Sequence, residues 1–235
     1  MGKKKLNRKK LNPFVPIFTG TEYSDKIKFQ LFSYNSTELS EKNILSAKEF
    51  TGFADNNKVY WLNLHGIHEI EGVQEICNKL KVHSLTVQDI LDVNQRPKFQ
   101  DYENYWFFST KSILPSSNND LEREQISFVL GKNYLVSFQE KEGDHFDHIR
   151  HRLREKVGLS RERGSDFLLY LLFESIFDNY YSTIETIELN LAELIITDIN
   201  KDPSPDILRT VEHYRRQLHY IKRNIVPTKE FNHGS

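Results

Sequence analysis

The sequence predicts an α/β (α+β) fold, in which a mixed β-sheet packed with helices is followed by a long antiparallel helical hairpin. Two observations support this prediction. Between residues 26 and 139, segments with the apolar–polar alternation of strands are separated by short segments with helical spacing. Between residues 165 and 225, two long heptad patterns follow one another across a proline-containing break. Strands interspersed with helices favour a sheet covered by helices.

Five strands and three short helices are predicted ahead of the hairpin. The first strand places Ile27, Phe29 and Leu31 on one face, and Gly131-Lys132-Asn133 separates the last two strands as a hairpin turn. Thr86 and Asp89 have the spacing of a capping box in the second helix. The predicted strands are 26–34, 58–65, 105–114, 125–130 and 134–139, and the predicted helices are 71–82, 84–91 and 144–157.

The first helix of the hairpin is predicted over about residues 165–197, a stretch without proline or glycine. Its 33 residues would span about 50 Å at a rise of roughly 1.5 Å each. Apolar residues recur at steps of four and three, which is the seam of a coiled-coil helix. So long a seam predicts a partner helix. The seam residues are Phe173, Phe177, Tyr180, Ile184, Ile187, Leu191 and Leu194.

The partner helix follows a break at residues 200–205. Ser204 is placed to cap it and Pro205 to occupy its first position, where a missing N–H costs nothing. A matching seam predicts antiparallel packing on the first helix, and Pro227 is expected to end the pattern. Residues 166–202 carry eight acids and one base, whereas residues 203–230 carry six bases and three acids, so charge also favours the pairing. The second seam consists of Ile207, Val211, Tyr214, Leu218, Ile221 and Ile225.

Composition limits the classes of function. The 235 residues carry a formal net charge of −1, and because the first ten hold six bases, the remainder carries 26 − 33 = −7. An acidic body argues against nucleic-acid binding, and residues 1–12 are expected to form a basic disordered arm. The single cysteine, Cys77, excludes an internal disulfide. No signal peptide is recognisable, and no apolar run approaches the roughly 20 residues of a membrane span.

Enzyme signatures are absent from the sequence, which predicts that the chain is not an enzyme. Neither a phosphate-binding glycine loop, a nucleophile elbow nor a zinc-protease motif occurs. His145, His148 and His151 recur every third residue among basic neighbours, which favours a solvated helix face over a metal site. Glu174 and Asp178 lie four apart on one face of the long helix, where carboxylates suit a hard cation such as Mg²⁺ as well as plain solvated surface.

One set of motifs carries a family resemblance. The segments are HSLTVQDILDVNQRPK at 83–98, FQDYENY at 99–105, EQIS at 124–127, FQEK at 138–141 and DFLLY at 166–170. In this order and spacing they resemble the cytoplasmic domain of the CorA family of magnesium transporters. The resemblance runs from about Asp55 to Ser235 and is weak before Asp55.

The resemblance implies an architecture that this chain covers only in part. It implies a mixed sheet between helical layers at 13–160, then the hairpin at 161–235, leading to a stalk helix and two membrane helices with a Gly-Met-Asn loop, in a homopentamer around one pore. No such tripeptide occurs here, and Met1 is the single methionine. We therefore expect the cytoplasmic part of a cell inner-membrane protein. Separated from its membrane helices, this part is expected to be largely monomeric.

The resemblance also implies a regulatory role for Mg²⁺, bound weakly by carboxylates of neighbouring subunits in a closed pore. Asp89 matches the principal interface carboxylate of the family, whose partner belongs to the next subunit. Glu174 matches an acid of a second site nearby. Gln88 stands where the family commonly has glutamate, and Asn94 where a relative has histidine. The candidate metal residues are therefore Asp89, Glu174, Asp178 and Gln88, with the second site expected to be weaker or absent.

Two alternatives remain open at the level of sequence. A zinc-transporting relative of the same family would share the fold, although zinc favours histidine and cysteine ligands over the carboxylates of Asp89 and Glu174. A freestanding adaptor could use the helical hairpin to bind a partner helix. The transported ion, whether Mg²⁺, Co²⁺, Ni²⁺ or Zn²⁺, is a property of the pore.

Overall fold

The computed structural model describes residues 15–23, 26–116, 119–143, 145–198 and 204–229. The predicted arm at 1–12, residues 200–203 of the predicted break at 200–205, and the start of the predicted helix at Asp144 lie outside these residues. The strands are β1 (Lys28–Tyr34), β2 (Leu39–Ile44), β3 (Val59–His65), β4 (Lys98–Tyr102), β5 (Tyr105–Pro115), β6 (Leu121–Leu130) and β7 (Tyr134–Gln139). The helices are α1 (Ile70–Lys79), α2 (Ser84–Leu91), α3 (Asp147–Arg154), α4 (Ser165–Asp198) and α5 (Pro205–Lys229).

All seven strands form one mixed sheet in the order β2-β1-β3-β7-β6-β5-β4. β3 and β7 pair in parallel, with Leu62 opposite Val136. Every other neighbouring pair is antiparallel. The hairpin between β6 and β7 closes where Gly131 N donates to Tyr134 O at 2.9 Å. The prediction of an α/β fold with a mixed sheet is confirmed.

The sheet is buried on both faces, by one core on each. Successive strand residues point to opposite faces, so neighbours along a strand enter different cores. Trp61 and Leu62, neighbours on β3, are both fully buried and belong to different cores. One core contains α1 and α2 through buried residues that include Val73, Ile76, Val87 and Ile90. The other contains α3 and α4 through buried residues that include Ile149, Leu168 and Leu172. The sheet therefore separates two helical layers.

Sequence patterns missed both edge strands, for an identifiable reason. In β2, no residue is buried, so its sequence lacks the alternation that marks a half-buried strand. In β4, Phe99 is 38% exposed and no residue is buried. Edge strands pair on one side only and bury less, which removes the periodic signal.

The first half of α4 packs on the sheet, not on a second helix. Leu168, Leu172 and Ile176 are buried against it. Farther along, Tyr180 Oη donates to Lys111 O, and Thr183 Oγ1 donates to Ile113 O at 3.0 Å. Of the predicted seam, Tyr180 and Ile187 are buried, whereas the other members are half-buried against the same core. The heptad spacing was therefore correct for the buried stripe, but the sheet is the partner along its first part.

α5 supplies the second half of the hairpin and packs on both α4 and β5. The predicted cap is confirmed, since Ile207 N donates to Ser204 Oγ at 3.4 Å. Tyr214 and Ile221 are buried as expected, but Val211 is 43% exposed, so the seam does not extend to it. The expectation that Pro227 ends the helix was wrong, because α5 continues to Lys229. A proline in the last turn removes one N–H bond without stopping the helix at once.

The hairpin is bonded to the sheet region at two places. At its base, Ser165 Oγ donates to Gly131 O at 2.9 Å, which ties the start of α4 to the β6–β7 turn. In the middle of α5, Gln217 Nε2 donates to Asn119 O at 2.7 Å, just before the start of β6. The guanidinium of Arg123 also lies 4.1 Å from the Tyr220 ring centroid. Within the described residues, no helix has the length and apolar character needed to cross a membrane.

Candidate metal centre

Asp89 and Gln88 lie on the outer side of α2. Inward-facing Val87, Ile90 and Leu91 are buried, which leaves Gln88 and Asp89 partly exposed. The predicted capping box is wrong, since His83 is the N-cap and its side chain accepts from Leu85 N at 3.2 Å. α2 begins too early for Thr86 to cap it, and Thr86 Oγ1 bonds Tyr105 Oη at 3.0 Å instead.

The backbone at Asp89 is held from behind by two glutamine side chains. Gln125 Nε2 donates to Asp89 O at 3.1 Å and to Ile90 O at 3.4 Å. Gln95 Nε2 also donates to Asp89 O. Carbonyls in the last turn of a helix lack intrahelical partners, so these amides satisfy groups that α2 leaves open. The position of Asp89 is thus fixed to β6 through Gln125.

Two buried ionisable side chains, Lys111 and Glu140, support Gln125 in turn. Lys111 Nζ donates to Gln125 Oε1 at 3.1 Å and to Val93 O, and Glu140 Oε1 accepts from Gln125 N at 2.9 Å. Burial lowers the pKa of Lys111 to about 8, against the opposing effect of Glu140. Burial raises the pKa of Glu140 to about 7, although the Gln125 N–H favours the ionised form. Sequence reasoning missed this cluster, because single charges inside strand patterns carry no periodic signal.

The carboxylate of Asp89 is paired with a lysine of the same chain. Lys98 Nζ contacts Asp89 Oδ2, and the two side chains remain 30% and 17% exposed respectively. Asp89 is therefore neither sealed inside its subunit nor a bare surface charge. Carboxylate oxygen is the ligand type that Mg²⁺ takes from proteins, usually with retained waters. Asp89 and the amide oxygen of Gln88 fit that chemistry but supply only one negative charge.

Asn94, the second departure from the family pattern, faces a different neighbour. Its Nδ2 donates to Thr19 O at 3.1 Å and to Thr19 Oγ1 at 3.0 Å. Thr19 Oγ1 donates to Asp92 Oδ1 at 2.9 Å. Asn94 thus holds the segment around Thr19 against the loop after α2.

Glu174 and Asp178 lie in the opposite helical layer from Asp89. Both are exposed on α4, which packs on the other face of the sheet from α2. Glu174 Oε1 accepts from Tyr170 Oη at 3.2 Å, and its Oε2 lies 4.0 Å from Arg152 Nη1. Within one chain, these two carboxylates cannot share an ion with Asp89.

Asp178 instead borders a cleft of about 420 Å³ between α4 and one end of β5 and β6. In its wall, His145 Nε2 lies 2.8 Å from Glu124 Oε2, and His145 Nδ1 lies 3.3 Å from Ser112 Oγ. The His145 and Glu124 side chains are 8% and 2% exposed. The expectation of a solvated histidine face was wrong for His145, which precedes α3 and turns inward, and right for exposed His148 and His151.

The candidate carboxylates do not converge within one chain, since Asp89 lies in one helical layer and Glu174 and Asp178 in the other. Across the described residues, no three histidine, cysteine, aspartate or glutamate side chains converge so that they could hold a metal ion.

Comparison with known proteins first defines a class, that of metal-ion transporters. A family model described as "CorA-like Mg2+ transporter protein" matches residues 56–232. The chain belongs to the CorA family. Because this is a family of transporters, the prediction that the chain is not an enzyme is confirmed.

Three relatives show how far the similarity extends. The chain is 32% identical over 232 residues to the cobalt/magnesium transport protein CorA of Thermotoga maritima, covering 98% of this chain and 66% of that protein. The soluble domain of CorA from Methanocaldococcus jannaschii superposes with a TM-score of 0.64 at 14% identity, covering 85% of this chain and 76% of that one. The cytoplasmic domain of ZntB from Vibrio parahaemolyticus gives 0.62 at 19% identity, with 85% and 75% coverage.

The chain thus spans slightly less than two thirds of the length of its Thermotoga relative. The two structural matches, both under 25% identical, share its fold.

Proposed function

We propose that the chain is the cytoplasmic regulatory part of a CorA-type Mg²⁺/Co²⁺ transporter and that it binds cytosolic Mg²⁺ at subunit interfaces. The observation that carries this proposal is the setting of Asp89. Its carboxylate is 17% exposed and its backbone is fixed to the sheet, in a chain of the CorA family. A positioned, accessible carboxylate is what one subunit must contribute to a shared site.

The binding chemistry follows from the ligand type. Mg²⁺ keeps several waters and takes one or two protein carboxylates, so Asp89 and an acid of the neighbouring subunit are sufficient. Free Mg²⁺ in the millimolar range needs a binding free energy of only about −4 kcal/mol. When bound, the ion offsets the repulsion between facing carboxylates.

Regulation then follows from a difference in affinity between two states. In a homopentamer of the inner membrane, an ion that binds only when subunits approach favours the closed arrangement. When the ion is scarce, like charges at the interfaces repel and favour separation. The residues of this chain hold the carboxylate in place, and the pore lies in the membrane part.

A second, weaker site would involve the remaining candidates. Gln88 offers an amide oxygen without charge, so its contribution to cation binding is smaller than that of a glutamate. Glu174 and Asp178 are exposed on the opposite helical layer and are available to a neighbouring subunit. Within one chain they lie in the opposite helical layer from Asp89. A site that joins them to Asp89 would therefore require opposite layers of adjacent subunits to meet.

The test is protection from proteolysis in the full-length transporter as Mg²⁺ is raised. Asp89→Asn should shift the protecting concentration upward, because the amide keeps the shape but loses the charge. Asp101→Asn, at an exposed position on β4, is the matched control and should leave it unchanged. Identical protection curves for wild type and Asp89→Asn would remove Asp89 from the site.

Zinc transport is the second candidate, favoured only by the similarity to ZntB. The ligand types at Asp89 argue against zinc as the regulatory ion, because zinc favours nitrogen and sulfur. The same protection assay with Zn²⁺ in place of Mg²⁺ shows which of the two is the regulatory ion. Family membership favours either transporter over a freestanding adaptor.

A further inference from the structure

Lys98 lies against the same carboxylate that the proposed function assigns to Mg²⁺. It is the first residue of β4, and its ammonium contacts Oδ2 of Asp89. Its Nζ also lies 5.9 Å from the centroid of the Phe107 ring. One cationic group of the chain therefore occupies part of the space around the carboxylate.

The pairing is held in place from both sides. Asp89 is fixed through its carbonyl to Gln95 and Gln125. Lys98 is fixed through its backbone, because β4 pairs with β5 and sets Lys98 opposite Ser109. Neither partner has to be recruited from outside a described helix or strand, so the ion pair is built into the fold.

Two cations cannot share one carboxylate without a cost. The ammonium repels an approaching divalent ion, and it also neutralises the single charge that would attract that ion. Lysine can yield its place, since its charge sits on a flexible four-carbon stem and is strongly hydrated. At 30% exposure, the side chain of Lys98 has access to solvent when it leaves Asp89.

We propose that Lys98 is a tethered cation, which occupies the carboxylate of Asp89 in the metal-free protein and is displaced when Mg²⁺ binds. The inference rests on the proposed function, in which Asp89 is a Mg²⁺ ligand. The tethered cation lowers the affinity for Mg²⁺ and so moves the response toward higher concentrations of the ion. It also keeps Asp89 ordered and neutralised while the ion is absent.

The size of the effect follows from the exposure of the pair. Partly exposed ion pairs are weak, so removing the competing charge should tighten Mg²⁺ binding by about three- to fivefold. Lys98→Gln removes the charge and keeps most of the stem. Lys98→Arg retains the charge and should leave the midpoint of the titration within about twofold. Lys58→Gln is the matched control, because the side chain of Lys58 is similarly exposed and pairs with Glu38, where Lys58 directly precedes β3 and Glu38 directly precedes β2.

The experiment is a Mg²⁺ titration of the full-length transporter, in which the neighbouring subunits are present, followed by NMR, with MgCl₂ as the probe and ionic strength held constant. Backbone signals of α2 report binding, and the side-chain ¹⁵Nζ signal of Lys98 reports displacement. In wild type, the Lys98 signal should move with the same midpoint as α2. At saturation, it should approach its position in metal-free Asp89→Asn, where the ion pair is absent.

The outcomes separate the inference from the proposed function. If Asp89→Asn leaves the midpoint at α2 unchanged, Asp89 is no ligand and both fail. If Asp89→Asn raises the midpoint but Lys98→Gln does not lower it, the tethered cation alone is overturned. If Lys58→Gln tightens Mg²⁺ binding as much as Lys98→Gln does, the change follows from net charge alone, and the tethered cation is overturned as well. A Lys98 signal that stays fixed while α2 titrates would do the same.

Discussion

Replacing Glu140 by glutamine should change how the stability of the protein depends on pH. Glu140 directly follows β7 and is only 7% exposed. Burial raises the pKa of its carboxyl to about 7 from an ordinary 4.5. The folded protein therefore keeps this carboxyl protonated at pH values where the unfolded chain has already lost the proton. Glutamine keeps the oxygen that accepts from Gln125 N and removes the titration.

The direction follows from proton linkage. A carboxyl whose pKa is raised by folding stabilises the fold below about pH 4.5, and this contribution is lost as pH rises through 7. A shift of 7 − 4.5 = 2.5 units corresponds to about 3 kcal/mol at about 1.4 kcal/mol per unit. Lys111 reduces the gain, because the substitution deprives its buried ammonium of a nearby negative charge. We expect Glu140→Gln to gain about 1–3 kcal/mol relative to wild type between pH 5 and pH 7.5.

The assay is urea unfolding at several pH values, followed by circular dichroism. The quantity of interest is how the difference in unfolding free energy between variant and wild type changes with pH, because a constant packing effect cancels from it. Glu142→Gln, at an exposed glutamate paired with Lys28, is the control and should show a nearly flat difference. Parallel curves for Glu140→Gln and wild type would refute the link between burial and stability at this site.

The remaining predictions concern the hairpin. Leu172→Ala should lower the unfolding free energy by about 2–5 kcal/mol because a fully buried side chain leaves a cavity, whereas Leu189→Ala, at 66% exposure on the same helix, should cost far less; equal losses in urea unfolding would contradict the packing. Ser204→Ala should lower the unfolding free energy by about 1 kcal/mol, because the helix cap is lost. An unchanged unfolding free energy in the same assay would mean that the cap does not stabilise the protein in solution. Without membrane helices, the chain should be largely monomeric by light scattering, and a stable pentamer would contradict that.

Sequence periodicity predicted the interior of the fold better than its borders. β3, β6 and β7 were found because buried apolar residues recur along them, whereas β2 buries none and left no pattern to detect. The long helix was predicted within one residue at either end. The partner helix α5 was predicted as well, but the sheet as the partner of the first half of α4 was not, since a heptad seam indicates that a face is buried and says nothing about whether a helix or a sheet buries it.

The candidate site shows a similar division. Motif resemblance singled out Asp89, and the structure places it at an accessible position on α2. The pairing with Lys98 was not foreseen, although both belong to the same 16-residue motif at 83–98. The contact depends on the path of the chain from α2 into β4, and β4 is an edge strand that the sequence did not reveal. The role of Gln125 was missed because its Nε2 donates to backbone carbonyls of α2, which carry no residue signature.

Lys111 joins two layers that the sheet otherwise keeps apart. Its side chain reaches the loop after α2 at Val93, while its backbone carbonyl accepts the hydroxyl of Tyr180 from α4. A displacement of that loop along the sheet would pull on the same residue that anchors the middle of the long helix. The loop beside Asp89 and the middle of α4 are therefore bonded to the same strand residue, so that a displacement of the loop large enough to move Lys111 would also strain the bond to Tyr180.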